Sequence, residues 1–102
     1  MYREGRSRAN RYLVLYAFPH AETEGPRLGV SVSRKVGGAV ERNRVKRLLR
    51  EAFWAQAEGL PEGHDFVLVA RPDSRELAER EGLSGVTTAL RELVDQGGLT
   101  RR

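Results

Sequence analysis

The chain has 102 residues, which is enough for one domain that buries a modest core without staples. It contains no cysteine, so disulfides, zinc–thiolate sites and thiol nucleophiles are excluded. The formal net charge of +4 hides an asymmetry, because residues 1–50 carry +8 and residues 51–102 carry −4. This basic half predicts a polyanionic partner, nucleic acid rather than a membrane.

The first predicted strand follows a basic N-terminal stretch. Residues 1–10 lack apolar periodicity and are expected to be the frayed end of a helix or an arm. The next segment, 11–19, reads RYLVLYAFP, which is typical of a strand. Alternation divides it into two faces, with Tyr12, Val14, Tyr16 and Phe18 on one and Leu13, Leu15 and Ala17 on the other. Phe18 is expected in the core, whereas for Tyr16 and Tyr12 core packing and base stacking both stay open.

A second strand is predicted over 27–33. It places Leu28, Val30 and Val32 on one side and the small residues Gly29, Ser31 and Ser33 on the other. If the small side adjoins the tyrosines of the first strand, the two strands form a shallow trough with an aromatic floor. Unpaired bases stack on such floors, so Tyr16, Tyr12, Ser31 and Ser33 are candidate contacts for single-stranded RNA.

The turn RKVGG, residues 34–38, leads into the central helix. The expected N-cap position holds no Ser, Thr, Asp or Asn, which leaves the first amides of the helix without a side-chain cap. Those amides, with Arg34 and Lys35, could seat a phosphate. A glycine turn capped by water is the alternative.

The central helix is predicted from Val40 to Trp54. Its apolar residues recur at helical spacing on one face, namely Val45, Leu48, Leu49, Ala52 and Phe53. The polar residues that lie opposite this face or flank it are Arg42, Asn43, Arg44, Lys46, Arg47 and Arg50. Five cations within nine residues repel one another and have few acids to offset them. A solvated face usually mixes charges, so this one-signed cluster favours polyanion binding.

The remaining chain predicts one more strand and further helix. Residues 66–70 (FVLVA) are apolar on both faces, so this segment is expected to be a central strand covered on each side. Strand, helix and strand would make a β-α-β unit with parallel outer strands. Asp73 and Glu76 mark a short helical start, and Ser84 begins a final helix. The predicted architecture is a single α+β domain.

Protein-borne catalysis gains little support from the residue pattern. His20 and His64 are single histidines in predicted loops, without a spacing typical of metal ligands. The acids are dispersed over helix surfaces and form no recognisable pair. We therefore predict no catalytic residue and no metal ligand in the protein. The longest apolar run has seven residues, which predicts no membrane span and a cytoplasmic protein.

Residues 29–53, GVSVSRKVGGAVERNRVKRLLREAF, closely resemble the signature of the bacterial ribonuclease P protein component. Its Arg-Asn-Arg, x-Lys-Arg, x-x-Arg pattern is met by Arg42, Asn43, Arg44, Lys46, Arg47 and Arg50. The flanking sequences ANRYLVLY and DFVLVARP also fall at the usual positions of that family. The resemblance covers nearly the whole chain and weakens over residues 72–85 and at the extreme C-terminus. One domain of this family is therefore predicted over residues 1–102.

The resemblance implies an α-β-β-β-α-β-α order like that of domain 2 of ribosomal protein S5, with a mixed sheet and a left-handed β-α-β crossover. It also implies a protein subunit that binds the catalytic RNA and the 5′ leader of precursor tRNA and assists removal of the leader. Hydrolysis would occur at Mg²⁺ ions held mainly by the RNA. No obligate protein partner is expected. A ribosome-associated or general RNA-binding module is the alternative function.

By similarity, the six signature residues would face the RNA subunit, and Tyr16 and Tyr2 would contact the leader. Family members usually begin about fifteen residues earlier, with a helix that carries another aromatic wall of the leader cleft. This chain begins at Met1-Tyr2-Arg3, so residues 1–10 are expected to be the truncated remnant of that helix or an arm. Either the natural start lies upstream or one wall of the cleft is mostly missing.

Overall fold

A computed structural model describes residues 6–19, 27–60 and 63–96. The elements in chain order are β1 (Arg6–Ala9), β2 (Leu13–Pro19), β3 (Arg27–Val32), α1 (Ala39–Ala55), a 3₁₀ turn (Ala57–Gly59), β4 (His64–Ala70) and α2 (Ser74–Gln96). The strands form one mixed sheet in the order β1-β2-β4-β3. This confirms the predicted α+β class.

The pairing of the strands reflects the β-α-β unit expected from the sequence. β3 and β4 are parallel neighbours joined through α1, whereas β1 pairs with β2 and β2 pairs with β4 in antiparallel fashion. The parallel pairing is thus confirmed. The left hand of the crossover stays a prediction from the resemblance.

Residues 6–9 are a strand, which corrects the expectation of a helix remnant or an arm over 1–10. β1 pairs along β2 with Ser7 opposite Tyr16 and Ala9 opposite Val14. The ladder supplies the backbone hydrogen bonds of this edge strand, so it needs no apolar periodicity of its own. Three strands before α1 agree with the order implied by the resemblance. Residues 1–5, including Tyr2, lie outside the described residues.

Both helices pack on one face of the sheet. β2 contributes Leu13, Leu15 and Ala17 to the core, and β4 contributes Phe66, Leu68 and Ala70. The opposite face carries half-buried side chains, among them Val67 and Val69. The expectation that 66–70 is covered on each side is therefore wrong among the described residues. Phe18 also lies on this second face and is only half-buried, so its predicted core position is wrong.

The apolar face of α1 is the one that the periodicity predicts. Its five buried residues are Val45, Leu48, Leu49, Ala52 and Phe53. Because the sheet and α2 take up this face, the polar residues of α1 are directed to its flanks and away from the core.

The second helix contains a break. Gly82 has φ 60° and ψ −145°, a conformation that is accessible essentially only to glycine. This divides Ser74–Gln96 into two segments, as the separate helix starts at Asp73 and Ser84 predicted. Just beyond the break, a Cβ on Gly85 would lie 2.6 Å from the Cβ of Glu81, so only glycine fits there without a shift.

Candidate nucleic-acid interface

Within the described residues, the cations of α1 have no acidic partners. Arg44, Arg47 and Arg50 are exposed with Asn43, and Arg42 and Lys46 are half-buried. Among the described residues, none of these five cations forms an ion pair with a carboxylate. The basic surface is therefore not neutralised by the described part of the chain. We call Arg42, Asn43, Arg44, Lys46, Arg47 and Arg50 the basic face.

Position on the helix separates these cations into two groups. Arg42 and Arg44 flank the apolar stripe, and their guanidinium groups donate to backbone carbonyls, Arg42 to Gly38 O and Arg44 to Ala78 O, both at 3.4 Å. Arg47 and Arg50 point away from the core and have no such contact among the described residues. They present their donors most fully to a partner.

Several carboxylates of α2 pair with arginines of the same helix. Arg75 lies 3.1 Å from Glu79 and 3.7 Å from Glu41, and Arg80 contacts Glu81 at 3.2 Å and Glu76 at 3.8 Å. Glu76, Glu79 and Glu81 thus pair with arginines within α2. Arg75 also links α2 to Glu41 at the start of α1.

Hydrogen bonds raise the pKa of two arginines outside α1, Arg11 and Arg80. Asp73 lies 2.8 Å from Arg11, and this hydrogen bond and charge raise the pKa of the guanidinium. For Arg80 the pKa is raised chiefly by a hydrogen bond to Tyr12, and then by one to Glu81. Both guanidinium groups are therefore positively charged at neutral pH.

The start of α1 is closed by a carboxylate. The amide of Gly38 donates to Oε1 of Glu41 at 3.0 Å, and Oε2 of Glu41 lies 3.7 Å from Arg75. A phosphate seated on this amide would meet the carboxylate, which disfavours the predicted phosphate seat. Arg34 and Lys35 remain exposed in the turn before α1, where they extend the positive surface.

The uncovered face of the sheet carries the predicted aromatic surface. Tyr16 and Phe18 lie on it with parallel rings, 6.1 Å between centroids and 6° between planes. Tyr16 stands opposite Val67, which in turn stands opposite Gly29, and Ser31 pairs with Val69 in the next row. We call the surface made by Ser7, Ala9, Val14, Tyr16, Phe18, Val67, Val69, Gly29 and Ser31 the open face.

The trough predicted from the sequence is wider than expected. β4 lies between β2 and β3, so the small residues of β3 do not adjoin the tyrosine strand directly. At about 4.8 Å between strands, Tyr16 and Gly29 are about 10 Å apart. Val67 and Val69 form the floor between the aromatic side and the low side at Gly29 and Ser31. A flat, partly apolar surface of this width suits a nucleobase.

Two predicted contacts lie elsewhere. Tyr12 precedes β2 and borders a small cavity of about 160 Å³ against α2, with Leu77 and Thr88 among its lining residues. The prediction that it shares a face with Tyr16 is wrong, because Asn10 Oδ1 accepts the amides of Tyr12 and Leu13 and turns the chain before the strand begins. Ser33 lies beyond β3, where its hydroxyl accepts the amide of Lys35 at 3.3 Å and shapes the turn.

His64, the histidine within the described residues, contributes to no cluster of metal ligands there. His64 begins β4, with its ring 6.0 Å from that of Phe66, and His20 lies outside the described residues. Within the described ranges no three His, Cys, Asp or Glu side chains are grouped to hold a metal ion. In the same ranges no helix is long and apolar enough to span a membrane.

Sequence reasoning missed several members of these surfaces. Ser7 and Ala9 gave no signal because β1 has no alternation of its own. Val67 and Val69 belong to an apolar run that is typical of a strand buried on both faces. The sequence pattern marks Trp54 only as the end of the predicted helix, yet half of the residue is exposed (50%) beside the basic face.

A basic helix face next to a sheet with one uncovered side defines the class: a small α+β protein that presents cations to a polyanion. The family model described as Ribonuclease P matches residues 1–94. The chain belongs to this ribonuclease P protein family, as the sequence resemblance predicted.

Similar proteins are found among both sequences and solved structures. The Ribonuclease P protein component of Macrococcus caseolyticus is 43% identical over 81 residues, covering 79% of this chain and 70% of the relative. That of Clostridium acetobutylicum is 38% identical over 100 residues, covering 97% and 81%. The RNase P protein of Staphylococcus aureus superposes with a TM-score of 0.82 at 30% identity, covering 98% of this chain and 87% of the other. The RNase P protein of Thermotoga maritima gives a TM-score of 0.80 at 34% identity, covering 91% and 84%.

Proposed function

We propose that this chain is the protein subunit of ribonuclease P in the bacterial cytoplasm. In this proposal the basic face of α1 binds the catalytic RNA, and the open face of the sheet binds the 5′ leader of precursor tRNA. The observation that supports it most directly is the absence, among the described residues, of carboxylate partners for the cations of α1. Family membership supports ribonuclease P RNA as the partner in this proposal.

The contribution of the basic face is electrostatic. Binding of phosphates by Arg47, Arg50 and their neighbours releases condensed counterions, so affinity falls steeply as salt rises. Guanidinium groups bind phosphate oxygens in bidentate fashion, and Asn43 adds an amide that can donate or accept. Arg34 and Lys35 extend the contact from the turn. Neutralised phosphates let RNA helices approach one another, which supports folding of the RNA subunit.

The open face would hold the leader as a single strand. Tyr16, supported by the parallel ring of Phe18, offers a stacking surface, and Gly29 and Ser31 leave room on the other side for a base or a ribose. Tyr2 stays a predicted contact from the resemblance. Tyr12 and Ser33 are not included, since their positions separate them from this surface.

The catalytic centre is assigned to the RNA subunit. In this proposal Mg²⁺ is held mainly by RNA and substrate, where it would activate water and stabilise negative charge in phosphodiester hydrolysis. In this proposal the protein contributes binding and orientation of the two RNAs, and no acid–base step is assigned to its residues.

Reconstitution with a bacterial ribonuclease P RNA tests the proposal. At low Mg²⁺, where phosphate repulsion limits RNA folding and substrate binding, we expect the protein to raise the rate of cleavage of precursor tRNA at the mature 5′ end. The controls are RNA alone and protein alone. An unchanged rate with the protein present would contradict the proposal.

The same experiment distinguishes other functions. A general RNA-binding module would bind ribosomal RNA fragments as tightly as precursor tRNA and would not stimulate cleavage. Cleavage by the protein alone would indicate a self-sufficient nuclease. This control is pertinent because a solved Staphylococcus aureus RNase P protein, with a TM-score of 0.81 at 31% identity and covering 96% of this chain and 79% of the other, is described as a mutant with defective mRNA degradation activity.

A further inference from the structure

Trp54 is the only tryptophan of the chain, and it stands half-exposed near the end of α1. In the described ranges, large hydrophobic side chains are exposed at only two other positions, Val40 and Leu83. Isolated exposed apolar residues are common and need no special cause. The surroundings of Trp54 are what give it a role.

Trp54 continues the outward side of the basic face. At 100° and 1.5 Å per residue, it lies within about 20° of Arg47 and about 10 Å further along the helix. It lies one turn beyond Arg50 and within about 40° of it. Both arginines are exposed and lack ion pairs among the described residues. An RNA strand bound to these two cations would therefore pass the indole.

The indole of Trp54 packs against the buried ring of Phe53. Its ring meets that of Phe53 at 89°, with 4.9 Å between centroids, and Phe53 is buried and lies 5.5 Å from Phe66 of β4. This aromatic series connects Trp54 to the core. A ring that is fixed before binding loses little conformational entropy when a ligand stacks on it.

We propose that Trp54 stacks on an unpaired base of the RNA that lies along the basic face. Two observations favour RNA as the occupant: the adjacent unpaired cations match phosphates, and a fixed, half-exposed aromatic ring matches a nucleobase. The inference rests on the proposed function, because it names an additional contact of the same surface. The stacking contact of Trp54 does not depend on charge, whereas the other cation–phosphate contacts of the basic face do.

The sole tryptophan makes the test direct. Wild-type protein is titrated with a bacterial ribonuclease P RNA transcript while tryptophan emission and binding of end-labelled RNA are measured on the same samples. We expect emission to be quenched as the RNA saturates, and the indole to be shielded from acrylamide, a neutral quencher that the charges do not attract. Emission and acrylamide access that do not change at saturation would overturn the inference.

Variants separate stacking from charge. Trp54→Ala should weaken binding about tenfold and leave the salt dependence unchanged, since no phosphate contact is lost. Trp54→Phe should recover most of the affinity. Leu83→Ala, which removes a comparably exposed apolar side chain from α2, is the matched control and should bind like wild type. Equal losses in Trp54→Ala and Leu83→Ala would overturn the inference, as would full affinity in Trp54→Ala.

The outcome also separates this inference from the proposed function. Salt-dependent binding of the RNA without any change at Trp54 would refute the stacking contact alone. Absence of salt-dependent binding by wild-type protein would refute the proposed function, and the inference with it.

Discussion

Tyr16 is the aromatic residue whose surroundings best fit a single strand of RNA. It is half-buried in a strand, so its position is fixed, and the parallel ring of Phe18 supports it. Its neighbours across the sheet, Ser7 and Val67, are small enough to leave one side of the ring accessible. Tyr12 is also half-buried, but it lies against α2 and its hydroxyl meets Arg80. Two tyrosines four residues apart thus have different environments.

This difference predicts a selective effect on the leader. Tyr16→Ala should lower the affinity of the reconstituted enzyme for precursor tRNA by roughly 5- to 150-fold, the range expected for loss of one stacked base. Affinity for mature tRNA, which has no leader, should not change. The measurement is competition binding with the two RNAs at one salt concentration.

Tyr12→Ala is the matched control for Tyr16→Ala. It removes the same side chain from the helix side of the sheet, so it should lower stability without altering the preference for precursor over mature tRNA. Equal effects of the two variants on this preference would contradict the assignment of the leader to the open face.

At the scale of elements, the break in α2 depends on one glycine. The helix is kinked at Gly82. Three residues later, Gly85 has no side chain and so lets the second segment lie close to Glu81 and Leu77. The second segment then buries Val86, Leu90, Leu93 and Val94 in the core. The glycine conformation therefore determines whether both segments can bury their apolar residues at once.

Gly82→Ala should lower the free energy of unfolding by about 2 kcal/mol, because the added Cβ is strained at positive φ although no neighbour lies within 4 Å of it. For a domain of this size the melting temperature should fall by roughly 10 °C. Thermal unfolding followed by circular dichroism measures both quantities.

Gly59→Ala is the control for this change. A Cβ at Gly59 also meets nothing within 4 Å, but the backbone there does not have positive φ. Its effect should stay within about 0.5 kcal/mol, as for an ordinary surface substitution. A comparable loss at both glycines would show that backbone strain at Gly82 is not the cause.

Local periodicity predicted the helices and most strands better than it predicted which faces of the sheet are buried. The five core residues of α1 and the two starts in α2 follow from spacing that one helix carries by itself. The exposure of Val67 could not be predicted in this way, because it depends on both helices lying on the same side of the sheet. The strand at 6–9 is defined by its pairing with β2 rather than by its own residues.

In the candidate site, too, features of a single segment were predicted and contacts between elements were not. The sequence identified the basic face because like charges at helical spacing are a property of one segment. The closure of the helix start by Glu41, three residues after Gly38, is a local contact that the sequence analysis missed. The sequence could not show that Arg75 of α2 pairs with Glu41 of α1, because that contact joins two elements. The surroundings of Trp54 are also tertiary, because Phe66 comes from another element.

At the scale of the whole molecule, positive and negative charges are segregated rather than balanced. α1 carries cations without carboxylate partners among the described residues, whereas α2 carries acids that pair with Arg75 and Arg80. Exposed pairs of this kind contribute little to stability. Their larger effect is on the field, because they keep the acidic groups near α2 and leave the potential over α1 positive.

If counterion release at α1 drives binding, the location of a charge must matter more than the net charge. Replacing Arg47 and Arg50 by Ala lowers the formal net charge from +4 to +2, and replacing Arg80 and Arg91 by Ala lowers it by the same amount. The first pair lies on the basic face, and the second lies on α2.

The α1 double variant should bind a ribonuclease P RNA at least about tenfold more weakly, and the slope of log affinity against log salt should become shallower by about one to two. The α2 double variant should keep the wild-type slope. Filter binding between 50 and 400 mM salt, about the range in which such slopes are linear, measures both. A contact surface acts on charges within about a Debye length, so its effect on binding is local. Equal changes of slope in the two variants would mean that RNA binding depends on net charge. The basic face would then have no special part in binding.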